Sequence, residues 1–161
     1  MSTRERLVIV GGGMAGGKLA EELVARGGLE RYDVTVVGDE PCGNYNRIKL
    51  VVKLKEPDLP DLFLNTPDWY ARVGIRALLG APAVAIDRSA RTVATADGQR
   101  LAYDRLVLAT GSRPIVPPMP GLDLPGVFAL RRLEDVERVR AYLCNRAEAS
   151  VVGGGLLGLE L

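Results

Sequence analysis

Two glycine hexads, each directly behind a short apolar run, constrain this chain more than any other feature. The first is Gly11-Gly12-Gly13-Met14-Ala15-Gly16, after Leu7-Val8-Ile9-Val10. The second is Gly153-Gly154-Gly155-Leu156-Leu157-Gly158, after Ser150-Val151-Val152. Each reads as strand, tight turn and helix start. In that arrangement Gly11 permits the sharp turn, Gly13 lets backbone approach a diphosphate, and Gly16 lets helix and strand pack closely. The amide N–H groups of the helix start, with the positive end of its dipole, then face the phosphate oxygens. The first hexad opens an amphipathic helix whose apolar stripe is Leu19, Ala20, Leu23 and Val24. Two such sites imply two dinucleotides and redox traffic between them.

The acidic pair Asp39-Glu40 follows the next apolar run, Val34 to Val37, about 25 residues after the first hexad, as the motif's logic requires. One of these carboxylates is expected to accept a hydrogen bond from an adenosine ribose hydroxyl. Asp39 is the first choice and Glu40 the second. A carboxylate there favours an unphosphorylated ribose, as in FAD or NAD. For the second hexad the acidic partner is not in the sequence, so NADH and NADPH are not separated.

Around this unit, residues 41 to 67 read as irregular, punctuated by Pro41, Gly43, Pro57, Pro60 and Pro67, with a short helix near Arg47 to Lys53. Thr66-Pro67-Asp68 has the form of an N-cap, a first-turn proline and an acidic first turn. Its helix is expected to stop at Gly74. Short strands are expected at Ile75–Leu79, Ala83–Ile86, Thr92–Ala96 and Arg100–Tyr103, with a hairpin at Asp97-Gly98. Leu106 to Ala109 reads as a buried strand ending in Thr110-Gly111. Its small residues would let a ring or phosphate lie on backbone, although an ordinary strand–turn explains them equally. Leu133 to Leu143 is expected to be helical, and Ser150 to Val152 a strand.

The expected fold is therefore α/β: a Rossmann-like FAD-binding domain with a parallel sheet and a β-meander insert, then the start of a second Rossmann-like NAD(P)-binding domain. The proline-rich stretch divides the chain into 1–116, a linker 117–127, and 128–161. Because the last helix has barely begun at Leu161, the chain reads as a fragment of a longer protein.

Composition narrows the function classes. Lysines and arginines number 21 against 20 acidic residues, for a net charge of +1. That balance argues against a nucleic-acid or membrane-surface binder. No apolar run approaches the ~18 residues of a membrane helix, and Ser2-Thr3-Arg4-Glu5-Arg6 is not a leader, so a cytoplasmic location is expected. Histidine is absent, and Cys42 and Cys144 form no Cys-x-x-Cys pair. Neither a histidine base, a metal site nor a dithiol carrier is expected. Arg47, in Asn44-Tyr45-Asn46-Arg47, is placed equally well near a phosphate or flavin and on the open surface.

The order of these motifs resembles the FAD-dependent pyridine nucleotide oxidoreductases. Gly11–Gly16, Gly38-Asp39-Glu40-Pro41, Asn44-Tyr45-Asn46-Arg47, the run Tyr103 to Pro114 and Gly153–Glu160 carry the resemblance. The Asn-Tyr-Asn-Arg stretch is most similar to the flavin module of the assimilatory NAD(P)H nitrite reductase large subunit; ferredoxin and rubredoxin reductases share the rest. The resemblance implies that Gly11, Gly13, Met14, Ala15 and Gly16 bind FAD diphosphate and Asp39 its ribose. It puts Arg47 along the flavin or its phosphates and the backbone of Val84 at the adenine. Ala109, Thr110 and Gly111 match the second FAD motif, and Arg131 another FAD-proximal position. Gly153, Gly155 and Gly158 would begin the NAD(P)H site. The implied activity is transfer of electrons from NAD(P)H through FAD to a small-molecule substrate or small redox carrier. No side chain acts as nucleophile or metal ligand. A ferredoxin- or rubredoxin-type reductase and a non-catalytic nucleotide-binding module are the rivals. One departure matters: relatives follow Asn-Tyr-Asn-Arg with a leucine-serine stretch and sometimes a lysine, whereas this chain has Ile48-Lys49-Leu50-Val51-Val52-Lys53. No flavin role passes to Lys49 or Lys53.

Overall fold

The structure, a computed structural model, describes residues 4–144 and 148–160. In chain order its elements are β1 (Glu5–Val10), α1 (Met14–Ala25), β2 (Tyr32–Val37), β3 (Asn44–Tyr45), α2 (Leu50–Lys55), β4 (Phe63–Asn65) and α3 (Pro67–Val73). They continue with β5 (Arg76–Leu78), β6 (Ala83–Asp87), β7 (Thr92–Thr95), β8 (Arg100–Ala102), β9 (Arg105–Leu108), α4 (Leu133–Leu143) and α5 (Leu156–Glu160). These elements fall into two units, one of residues 1–45 and 63–111, the other of 46–62 and 112–161.

The first unit is built on a four-stranded parallel sheet ordered β5-β2-β1-β9. Its central strand explains why the apolar runs are continuous. Leu7 and Ile9 face one side, in a core with Ala20 of α1, Val34 and Val36 of β2, Tyr70 of α3 and Ile75. Val8 and Val10 face the other, with Val37, Val93, Leu101 and Tyr103. Both faces of a parallel sheet must be covered, and here helices cover one and the antiparallel sheet β6-β7-β8 the other. The expected parallel sheet and meander insert are thus both present. The hairpin between β7 and β8 turns at Asp97-Gly98, with Gly98 at φ +87°.

The strand expected at 75–79 forms as β5, and it joins the parallel sheet beside β2 rather than the meander. The stretch 41–67, which reads as irregular, contains the small antiparallel pair β3–β4. Asn44 and Asn65 are buried on it. The Asn44 amide donates to Asn65 Oδ1 (2.8 Å), and the Asn65 amide donates to Glu21 of α1 (3.0 Å). α3 starts as its sequence dictates. Thr66 Oγ1 accepts from the Trp69 N–H at 3.2 Å, Pro67 opens the helix, and Gly74 closes it at φ +82°.

Tyr70 is fully buried on α3, and its hydroxyl has no hydrogen-bond partner among the described residues. Burial, reinforced by the negative charge of Glu21, pushes the phenol up to about 12. An unpartnered buried hydroxyl is destabilising relative to an apolar group of the same shape. Tyr70→Phe is therefore expected to leave stability unchanged or raise it by up to about 1 kcal/mol, read from urea unfolding. A loss larger than about 1 kcal/mol contradicts the assignment.

The starts of β1 and β9 are clamped by an ion pair. The Arg6 guanidinium donates to both Asp104 oxygens at 2.9 and 3.0 Å, and the Arg6 N–H donates to Oδ2 at 2.8 Å. These bonds hold the Asp104 carboxyl well below the usual carboxylate range. A depressed carboxyl contributes stability above its unfolded value, near 3.9, which is lost as pH falls through and below that value. The melting-temperature gap between the parent protein and Asp104→Asn should therefore narrow as pH falls from about 6 to 3. A gap constant across that range contradicts the clamp.

The second unit packs α2 with α4. Leu50, Val51, Leu62 and Val136 are its buried apolar side chains. α4 spans the residues its sequence predicts and is capped by Asp135, whose Oδ2 accepts from the N–H groups of Arg131 (2.9 Å) and Arg132 (2.7 Å). The strand expected at Ser150–Val152 does not form. Among the described residues this unit contains no strand to pair with it, and an apolar run becomes a strand only where a neighbour takes its backbone hydrogen bonds. Leu161, read as the end of the last helix, lies outside the described residues.

Candidate nucleotide-binding site

At the carboxyl ends of β2, β1 and β9 three backbone turns converge. The Gly11 N–H donates to Val37 O (2.8 Å) and the Ala109 N–H to Val10 O (2.7 Å). The Gly38 N–H donates to Leu78 O (2.8 Å), so β5 is drawn into the same edge. Crevices at this edge of open α/β sheets are where nucleotides bind.

Side chains are excluded from this turn on steric grounds. Gly11 sits at φ +121°, and a Cβ there would lie 2.1 Å from Ala109 O. A Cβ on Gly16 would lie 1.9 Å from Gly11 O. Gly13 is different: at φ −80° and ψ −164° it is extended backbone and forms the N-cap of α1. Among the described residues no side chain caps this helix, and its first turn carries no acidic residue. The N–H groups that begin a helix need partners, and the helix dipole favours an anion there. A bare, glycine-walled helix start at the carboxyl edge of a parallel sheet is a diphosphate cradle in its chemistry. Met14 and Ala15, in its first turn, are exposed.

The other expected residues fall as follows. Asp39 and Glu40 follow β2 after Gly38. Asp39 is exposed, and Glu40 accepts a short hydrogen bond from the buried Tyr45 hydroxyl. Ala109, Thr110 and Gly111 follow β9 at the same edge, with Gly111 at φ +72°. Val84 lies on β6 and is 64% exposed, three residues after Ala81, whose N–H donates to Gly38 O (3.0 Å). The first unit thus brings together Gly11, Gly13, Met14, Ala15, Gly16, Asp39, Glu40, Ala109, Thr110 and Gly111.

Arg47, Arg131 and the second hexad belong to the second unit. There the Arg47 guanidinium donates to Arg131 O (3.0 Å), while the Arg131 guanidinium donates to Ser112 O (3.3 Å) and Ser112 Oγ (3.0 Å). Gly153 repeats the backbone of Gly11 at φ +128°, and a Cβ on Gly158 would lie 2.0 Å from Gly153 O. The two hexads therefore adopt the same local turn, although only the first follows a formed strand.

Sequence reasoning missed three residues at these places. Gly38 lets the end of β2 approach Gly12, whose Cβ would sit 3.5 Å from Gly38 Cα. Tyr45 engages Glu40, and Ser112 orients Arg131. The glycine before Asp39-Glu40 was a legible signal; the other two depend on tertiary placement.

This turn and this sheet edge define a dinucleotide-binding α/β protein. The pyridine nucleotide-disulphide oxidoreductase family matches residues 5–161, and the chain belongs to that family. The resemblance read from the ordered motifs is borne out. The chain is 40% identical over 158 residues to the assimilatory nitrate reductase electron transfer subunit of Bacillus subtilis, covering 98% of this chain and 20% of that protein. It is 39% identical, with the same coverage, to the nitrite reductase [NAD(P)H] of the same organism. Among solved structures it resembles the covalent putidaredoxin reductase–putidaredoxin complex (36% identity, TM-score 0.79), covering 99% of this chain and 39% of that one. A ferredoxin reductase from Rhodopseudomonas palustris superposes with TM-score 0.86 at 30% identity, covering 98% and 39%. The chain thus spans about a fifth of the length of those two curated relatives. Despite the family's name, no disulfide joins Cys42 and Cys144 among the described residues. Among the described residues no helix is long and apolar enough to cross a membrane.

Proposed function

We propose that this chain forms the flavin-cradling part of an NAD(P)H-dependent oxidoreductase of the nitrite reductase type, which passes electrons to a downstream acceptor. The observation that carries the reading is the uncapped, glycine-walled start of α1. Its backbone N–H groups, over Gly13, Met14, Ala15 and Gly16, would hold the FAD diphosphate, with Gly11 making the turn. Asp39 would accept from the ribose, a reading supported by its exposed position just beyond the carboxyl end of β2. Ala109, Thr110 and Gly111 offer backbone to the bound cofactor, and the backbone of Val84 would meet the adenine. Arg47 and Arg131 would lie along the flavin or its phosphates; their support is that Ser112 and Asp135 hold Arg131 in one orientation. Gly153, Gly155 and Gly158 would begin the NAD(P)H site, supported by the turn they share with the first hexad.

FAD held by these residues would supply the redox chemistry, hydride acceptance and single-electron release. The protein positions it; no side chain in this reading serves as nucleophile or metal ligand. A division into 1–116, 117–127 and 128–161 goes with this proposal. Its support is that residues 109–132 contain no helix or strand. A cytoplasmic location goes with this proposal.

The likeness to putidaredoxin reductase supports a second reading, in which the acceptor is a small redox carrier. Anaerobic addition of NADH or NADPH to the FAD-loaded protein tests the proposal. Bleaching of the flavin absorbance supports an oxidoreductase, and recovery on adding nitrite or a small ferredoxin separates the two acceptors. Bound FAD that neither nucleotide reduces would favour the non-catalytic binding module instead.

A further inference from the structure

At the opposite edge of the parallel sheet lies a feature the redox reading does not use. A cavity of about 320 Å³ opens at the amino ends of β1 and β9, lined by Arg4, Glu5, Arg91, Asp104 and Arg105. Of its two carboxylates Asp104 is fully engaged, whereas Glu5 is only partly so: its buried Oε2 accepts no hydrogen bond among the described residues. Asp104 is clamped by Arg6, and Glu5 pairs with Arg105 (3.2 Å) and Arg31 (3.7 Å). Arg4 and Arg91 form no ion pair among the described residues; the Arg4 guanidinium donates to Leu29 O at 3.2 Å. The five lining residues, three arginines and two carboxylates, keep an excess of one positive charge, and Arg6 and Arg31, which pair with those carboxylates, add two more.

A second observation singles out Arg91. It ends the turn between β6 and β7 at φ +50°, a left-handed conformation that glycine or asparagine adopts more easily. Its carbonyl is fixed by the Tyr103 N–H (2.9 Å), and the turn before it by Asp87, whose carboxylate accepts from the Ala90 N–H (2.8 Å). The fold thus spends conformational energy on a residue that lines the cavity. Strain of this kind points toward a site when a ligand group accounts for it.

We propose that this cavity is a binding site for a small multivalent oxyanion of the phosphate class, held by Arg4, Arg91 and Arg105. Guanidinium forks match the tetrahedral oxyanion and bind it bidentately. The volume lies at the lower end of small-ligand sites. The length of β1 separates it from the glycine turn by roughly 20 Å, so it is distinct from the diphosphate cradle.

The test is a titration of the full chain with inorganic phosphate at constant ionic strength, with chloride as the reference salt. Amide chemical shifts locate the ion. Saturable shifts at Arg91 and Arg105 are expected, with affinity at least tenfold weaker in Arg91→Asn. The same variant should melt no lower than the parent in chloride, because asparagine suits the left-handed turn. Arg4→Gln, outside the strands, provides a second variant with the same expected loss. Phosphate shifts confined to residues 12–16, equal affinity in both variants and parent, or saturation by polyglutamate but not by phosphate overturns the proposal.

Discussion

Gly13→Val is expected to fold and to lose FAD. The residue is the N-cap of α1 in extended backbone, a conformation valine adopts freely. Valine is a poorer N-cap than glycine, so the variant should lose about 1 kcal/mol of stability. The same side chain would stand where a diphosphate must approach the helix start. Retention of flavin through gel filtration should fall at least about 100-fold, in keeping with a close backbone contact worth about 3 kcal/mol or more. Unfolding curves close to the parent's are expected alongside that loss. A valine variant that keeps stoichiometric FAD contradicts the cradle.

Gly16→Ala should fail differently, by breaking the turn itself. The added Cβ would lie 1.9 Å from Gly11 O, a backbone atom that cannot rotate away. Overpacking costs typically 1–3 kcal/mol, and a backbone collision this close belongs at about 3 kcal/mol or above. For a chain of this size that lowers the melting temperature by roughly 10 °C. FAD binding should be lost together with stability, because α1 can no longer start where the turn delivers it. A normal melt in Gly16→Ala would mean that the turn is not as described. The pair of variants separates a residue that faces the ligand from one that holds the fold.

The contrast shows what the sequence made legible. The opening strand, turn and helix were readable because their signals are local: a buried apolar run, fixed glycine positions and a 3.6-residue apolar stripe at Leu19, Ala20, Leu23 and Val24. The cap at Thr66, the stop at Gly74 and the hairpin at Asp97-Gly98 are local in the same way. What was not readable depends on distant partners. β3 and β4 are two and three residues long and exist because Asn44 finds Asn65. β5 reads as a strand, but its parallel partner β2 lies about 40 positions earlier, and nothing near Arg76 encodes that register. Val151 and Val152 carry the apolar signal of a strand without a neighbouring strand among the described residues. The contact of Arg47 with Arg131 spans 84 positions, and only the motif resemblance marked both as site residues.

The most direct measurement is a crystal structure of the FAD-loaded protein. The diphosphate oxygens should lie within about 3 Å of the backbone N–H groups that begin α1. Flavin whose diphosphate rests on any other segment, with those N–H groups facing water, would contradict the account.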